Sequence, residues 1–149
     1  MDEYRLEAIL DLHKKWLNHE GSGVRADLSN SNLSNSNLSR ADLGGANLRG
    51  ADLSDSILRG ANLSRSDLRD SDIDYSAWPL WCGSLKAYVD DRIAIQLLYH
   101  TLSVVQHSPY VSDELKRALL TPGNIDAANQ FHRVDECGKL EVYDNGNTI

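Results

Sequence analysis

The chain has 149 residues, 41% of them hydrophobic, and carries 22 acidic against 15 basic residues for a net charge of −7. That balance argues against direct binding to nucleic acid, which needs basic surface to neutralise phosphates, and suits a basic partner instead. No apolar run approaches the ~20 residues of a membrane span, and two cysteines, Cys82 and Cys137, do not make a disulfide framework.

Residues 3–19 predict a helix. Leu6, Ile9, Leu10, His13, Trp16 and Leu17 fall on one face at helical spacing, and Gly21 and Gly23 close the segment. The N-terminus is acidic and amphipathic rather than basic and then apolar, so no secretory leader is expected and the location expected is cytoplasmic.

From residue 26 the pattern changes. Leu28, Leu33, Leu38, Leu43, Leu48, Leu53, Leu58, Leu63 and Leu68 recur every five residues, with Ile73 as the tenth. Two places before each stands Ala or Ser, and the place between is Asp or Asn in all but one repeat, where Ile57 intrudes. On a helix a step of five rotates about 140°, so these leucines would spiral and form no stripe. On a strand an odd step would send them to alternate faces. A chain that bends once per repeat keeps every leucine pointing at a common axis. The small residue two places earlier points inward as well, and the Asp, Asn, Ser and Gly between suit turns.

Ala41-Asp42-Leu43, Ala46-Asn47-Leu48, Ala51-Asp52-Leu53 and Ala61-Asn62-Leu63 carry the motif A-(D/N)-L-x-x. The chain from Ala26 to Tyr75 therefore resembles a pentapeptide-repeat protein, of bacterial or phage type. The resemblance implies a mainly β solenoid: a short right-handed quadrilateral β-helix with four repeats per coil. Ten repeats then make two and a half coils, about 12 Å tall at the spacing of neighbouring strands. The N-terminal helix is expected to cap the first coil, where an open edge and core would otherwise be exposed.

With four repeats per coil, residues twenty apart share a face. The face of repeats two, six and ten holds Asp52, Asp55, Asp72 and Asp74, with Asn32 and Asn35 below and no arginine. Most repeat aspartates are expected to serve turns, but these four form the candidate protein-binding patch. Ile57 is expected to point outward between Asn37 and Ala77, with the C-terminal segment covering it.

Past Tyr75 the repeat decays. Ser76-Ala77-Trp78 keeps the spacing as an eleventh, terminal repeat, and Leu85–Val89 reads as one more strand. Asp90 is the expected N-cap of a helix from Asp91 to about Gln106, with Ile93, Leu97, Leu98, Thr101, Leu102 and Val105 on its apolar face. Ser112 caps a second helix to Leu120, and Thr121-Pro122 opens a third to about His132. Lys139–Tyr143 is a candidate last strand, followed by a frayed end at Asn145-Gly146-Asn147. The division expected is 1–25 as capping helix, 26–80 as β-helix and 81–149 as a C-terminal α-helical module.

No nucleophile motif, phosphate loop or metalloprotease helix is present. Cys82, His100, His132 and Cys137 form a possible zinc set, against which stand their irregular spacings and the lack of a Cys-x-x-Cys knuckle. Trp16, Trp78 and Trp81 read as core and cap residues. The function expected is that of a non-enzymatic protein-binding module without cofactor, which binds or inhibits a bacterial target through its solenoid face or helical tail. The family resemblance adds an alternative, a DNA mimic that inhibits or protects a topoisomerase or another DNA-binding protein, and implies a homodimer through the C-terminal module. A zinc-stabilised module or an enzyme of unknown type is the third reading.

Overall fold

The computed structural model describes residues 1–79, 87–132, 134–144 and 147–148. They divide into two compact units, Met1–Asp90 and Asp91–Ile149.

The first unit opens with α1, Glu3–Leu17, capped by Asp2, whose side chain accepts from the Arg5 N–H. Only Leu6 and His13 of this helix are fully buried. The chain then turns back along the helix. Glu20 N–H bonds to the Lys15 carbonyl, and Val24 N–H to that of Leu12. Gly23 makes this return close-packed, since a Cβ there would stand 2.2 Å from Trp16 N and 2.5 Å from the Lys15 carbonyl carbon.

The repeats that follow fold as a solenoid with a twenty-residue coil. Parallel bridges join Asp27 to Asn47, Asn32 to Asp52, Asn37 to Ile57 and Asp42 to Asn62. The next layer joins Asn47 to Asp67, Asp52 to Asp72 and Ile57 to Ala77. Each repeat turns its corner in the same way. The N–H of the small residue bonds to the carbonyl of the leucine three places before it, as in Ser31 to Leu28 and Ala51 to Leu48. The second residue after each leucine has positive φ, from Asn30 (53°) through Gly45 (72°) to Tyr75 (58°). A turn closed this way with positive φ at its third residue is the type II pattern. The Asp or Asn side chain before each leucine stabilises it: Asp27, Asn32, Asn37, Asp42, Asn47, Asp52, Asn62, Asp67 and Asp72 each accept the backbone N–H two places on.

The leucines fill the axis. Leu28, Leu43, Leu48, Leu53, Leu58, Leu63 and Leu68 are wholly inaccessible, and Ile73 is 4% exposed. The expectation of a β solenoid needs one correction. Among the described residues the coil pairs through isolated bridges, not through extended strands. Each side has only about three residues between turns, too few for a continuous ladder. Ala77 pairs with Ile57, so the eleventh repeat is formed, with Trp78 half-buried. Tyr88 then pairs with Asp67, a step of twenty-one rather than twenty. Of the expected strand at 85–89, Leu85 and Lys86 lie outside the described residues. Along this side Asp27, Asn47, Asp67 and Tyr88 make four layers, about 14 Å tall at ~4.8 Å per step.

The second unit is helical: α2 Asp91–His107, α3 Asp113–Leu119, α4 Pro122–Ala128 and α5 Val134–Cys137, then a two-residue hairpin of β1 Tyr143–Asp144 with β2 Asn147–Thr148. Ser112 and Thr121 cap α3 and α4 as their side chains predict, with Pro122 in the first turn. Three expectations change. The buried positions of α2 are Ile93, Gln96, Tyr99, Leu102 and Val105, so Leu97 and Thr101 lie off the packed face. α4 stops at Ala128, where the bonding shifts to three-residue steps, Gln130 N–H to the Ala127 carbonyl and Phe131 N–H to that of Ala128; there the Asn129 side chain clamps both backbone groups of Leu140, accepting from its N–H at 2.8 Å and donating to its carbonyl at 3.0 Å. The candidate strand at 139–143 starts only at Tyr143, and Asn147, expected to fray, pairs with Asp144. The core of this unit is Tyr99, Leu102, Val105, Leu120, Ile125, Ala128, Phe131 and Leu140.

Candidate functional site

The acidic face is assembled by the coil. Asn32, Asp52 and Asp72 stand in successive layers, paired backbone to backbone. The Asp52 Oδ1 accepts from the Ser54 N–H at 3.0 Å and the Ser54 hydroxyl at 2.6 Å. Asp72 Oδ1 accepts from the Asp74 N–H at 2.9 Å. Each carboxylate therefore spends one oxygen on its own turn, which fixes the side chain and directs its charge outward. Asp55 takes the corner position, at φ 56°, and is exposed. Asp74 departs from the expectation: it is only 8% exposed. It occupies the place of Ser34 and Ser54 in the layers below, just after the inward leucine, and is more deeply buried than either. The surface patch is thus Asp52, Asp55 and Asp72. At the open end of this face the Met1 ammonium donates to the Asn32 carbonyl at 2.6 Å.

The neighbouring face, of repeats one, five and nine, pairs two arginines with its aspartates. Arg49 Nε pairs with Asp70 at 2.8 Å. Arg69 donates through Nε and Nη2 to the two oxygens of Asp67, at 2.9 and 2.6 Å, and holds that carboxyl at about 2. Asp27 accepts from Ser29 and from the Asn47 side chain, and these bonds lower its pKa, the Ser29 side chain most.

Ile57 stands outward between Asn37 and Ala77 and is 45% exposed. Apolar, it cannot supply the turn acceptor that Asp or Asn provides in the other repeats.

Of the possible zinc set, Cys82 lies outside the described residues, as does Trp81. His100 and His132 both pack edge-on against Phe131, at ring-centroid distances of 5.4 and 4.8 Å. Cys137 is exposed. Among the described residues no group of three or more His, Cys, Asp or Glu side chains converges on a metal position.

The composition gives no direct signal for the role of His13. It is completely buried, stacks on Trp16 at 5.3 Å, and its Nδ1 accepts the Ala26 N–H at 3.0 Å. In later repeats that N–H bonds to the leucine carbonyl three places back. Ala26 has no repeat before it, and the imidazole supplies the missing acceptor. The proton must then sit on Nε2, which closes no hydrogen bond, although the Gly44 backbone exerts a weaker pull on it. Burial is the largest influence and lowers the His13 pKa; Arg25 adds to this, while Asp42 opposes it. Trp16 remains 38% exposed, its ring edge 3.5 Å from where a Gly45 Cβ would lie. The N-terminal helix thus meets the first coil through His13 and Trp16.

The family model for pentapeptide repeats matches eight copies, over residues 24–60 and 36–74. Solved structures similar to this chain include a pentapeptide repeat protein, Rfr23, from the cyanobacterium Cyanothece 51142. It is 29% identical over 46% of this chain and 42% of that one, with a TM-score of 0.37. Another is HetL from the cyanobacterium Nostoc sp. strain PCC 7120, a pentapeptide repeat protein involved in heterocyst differentiation regulation. It is 28% identical over 46% of this chain and 29% of that one, with a TM-score of 0.34. Both alignments span less than half of the neighbour's length. No curated protein matches the chain. The segment 24–74 thus matches the model of the pentapeptide-repeat family, whose members are generally non-enzymatic, protein-interacting modules. No helix among the described residues is long and apolar enough to cross a membrane.

Proposed function

We propose that this chain is a non-enzymatic binding module that docks a basic protein surface onto the face carrying Asp52, Asp55 and Asp72, within the right-handed quadrilateral coil that the family match implies. One observation carries the reading. Fixed carboxylates stack in adjacent layers of one face, while the repeat arginines described above pair with the aspartates of the next. The backbones of Asp52 and Asp72 stand one coil step, about 4.8 Å, apart, so the face gathers acidic groups that a cationic surface can complement. A bacterial target and a cytoplasmic setting fit this reading, and a homodimer through the helical unit is compatible with it.

Mimicry of duplex DNA fits less well. A duplex carries one charge per ~1.7 Å of axis, or about eight over a 14 Å rod. This face exposes three carboxylates.

Affinity capture from a bacterial lysate tests the proposal, comparing the wild type with the combined variant Asp52→Asn, Asp55→Asn, Asp72→Asn. The variant should fold as the wild type does. Asn32, Asn37, Asn47 and Asn62 already serve the turns that Asp52 and Asp72 serve, and Asn30 and Asn35 already hold the backbone conformation of Asp55. The expected result is a partner retained by the wild type, weakened by salt, and lost by the variant. A partner held equally by both proteins would move the site off this face.

A further inference from the structure

On the face of repeats one, five and nine, Arg25, Arg65, Asp67, Arg69, Tyr88 and the backbone around them line an open hollow of about 490 Å³. Its origin lies in the coil geometry. Positions 25, 45 and 65 follow one another at the coil's twenty-residue step along one corner. The middle rung is Gly45, whose carbonyl accepts from Arg25 Nε at 2.5 Å. Gly45 has no side chain of its own, and the Trp16 ring lies over that rung, 3.5 Å from where a Cβ would stand. Arg69 closes the hollow from the opposite corner, and Tyr88, 58% exposed, stands in the layer above Asp67.

Asp67 is already paired with Arg69, on which the Asp70 charge also acts. Arg25 donates to a neutral carbonyl and feels the charge of Asp27. Arg65 has no ion-pair or hydrogen-bond partner among the described residues, which leaves its guanidinium at the hollow to meet an anion. Guanidinium groups present paired N–H donors that match phosphate oxygens, and an exposed phenol ring offers a face for stacking a planar group. Ligand pockets run from about 300 to 1,000 Å³, and this hollow falls in the range for a small organic anion.

We infer that the Arg25–Arg65–Arg69–Tyr88 hollow binds a small aromatic phosphate monoester of nucleoside-monophosphate size, with the phosphate on Arg65 and Arg25 and the planar ring on Tyr88. This site is separate from the acidic face and does not depend on its role.

Titration calorimetry on the full chain, with AMP, inorganic phosphate and adenosine as probes, tests the inference. AMP should bind, inorganic phosphate should bind more weakly, and adenosine should give no measurable heat. Arg65→Gln should weaken AMP by about tenfold or more, the worth of one charged hydrogen bond. Tyr88→Ala should weaken AMP and leave inorganic phosphate unchanged, which separates a nucleotide site from a bare phosphate site. Thermal melting matching the wild type establishes that each variant is folded. Failure of the wild type to bind AMP at millimolar concentration would overturn the inference, as would binding by Arg65→Gln at wild-type affinity. So would a Tyr88→Ala effect that is equal for AMP and inorganic phosphate.

Discussion

In the solenoid every fifth side chain from Leu28 to Ile73 is buried, with none more than 4% exposed. In the helical unit the buried positions of α2 step by three, at Ile93, Gln96, Tyr99, Leu102 and Val105. The solenoid's step is set within each repeat: an Asp or Asn fixes the turn, the third turn residue takes positive φ, and the leucine has one direction left. The step in α2 is set by its neighbours. Tyr99 is drawn in because its hydroxyl reaches the Gly138 carbonyl at 2.6 Å and its ring stacks on Phe131 at 4.7 Å. A local code repeated ten times thus specifies one half of the molecule, and partners 30 to 40 residues away specify the other.

The sharpest way to break this comparison is to cut one core residue on each side. Leu48→Ala removes a wholly buried side chain from the middle of the stack and should cost roughly 2–5 kcal/mol. Phe131→Ala should cost the helical unit a similar or greater amount, about 3–5 kcal/mol. Denaturant unfolding followed separately in the two units should show each loss in its own unit. A Leu48→Ala cost below about half a kcal/mol, the range of surface changes, would contradict the solenoid packing.

A smaller effect is expected at the cap. In Gly23→Ala the new methyl would meet helix backbone, 2.2 Å from Trp16 N, where no flexible side chain can move aside. A loss of about 1–3 kcal/mol is expected, as for an overpacked core. A melting temperature equal to the wild type's would show that the return along α1 is not close-packed.

The smallest effect depends on pH. The folded pKa of His13 is lowered from 6.5, chiefly by burial, so the neutral ring is the form that the folded state favours. Its contribution to stability is complete above the unfolded value of about 6.5 and is lost as pH falls below that value toward the folded one. Protonation would also turn Nδ1 from an acceptor into a donor facing the Ala26 N–H. Stability to heat should therefore fall as pH drops below about 6.5, and His13→Gln, whose amide oxygen can accept without titrating, should flatten that part of the profile. An unchanged profile in the variant would remove His13 as its source.

The repeat segment was legible in the sequence because its information is local: the leucine period, the small residue and the turn acceptor all lie within five residues. The stacking of Asn32, Asp52 and Asp72 followed from the coil length alone. The burial of Asp74 did not, since its exposure is decided by what surrounds it and not by its place in the repeat. His13 fell on the apolar stripe of α1, and nothing near it in sequence marked it as an acceptor. The signal was at the other end of the bond, in a first repeat with no turn before it. The arginine hollow was equally hidden. Arg25 precedes the repeats, and it lines up with Arg65 only once residues twenty apart share a corner. In the helical unit the caps at Ser112 and Thr121 were legible for the same local reason. The Asn129 clamp at the end of α4 was not, because its partner Leu140 lies eleven residues on.

The central claim is that residues twenty apart build one face. Nuclear Overhauser contacts in the labelled protein test it most directly. The account predicts contacts between the backbones of Asp52 and Asp72, with slow exchange of the Asp52 and Asp72 amides that bond to the Ser31 and Ala51 carbonyls. Contacts confined to residues three or four apart along the repeats, with those amides exchanging freely, would contradict the coil and the acidic face built on it.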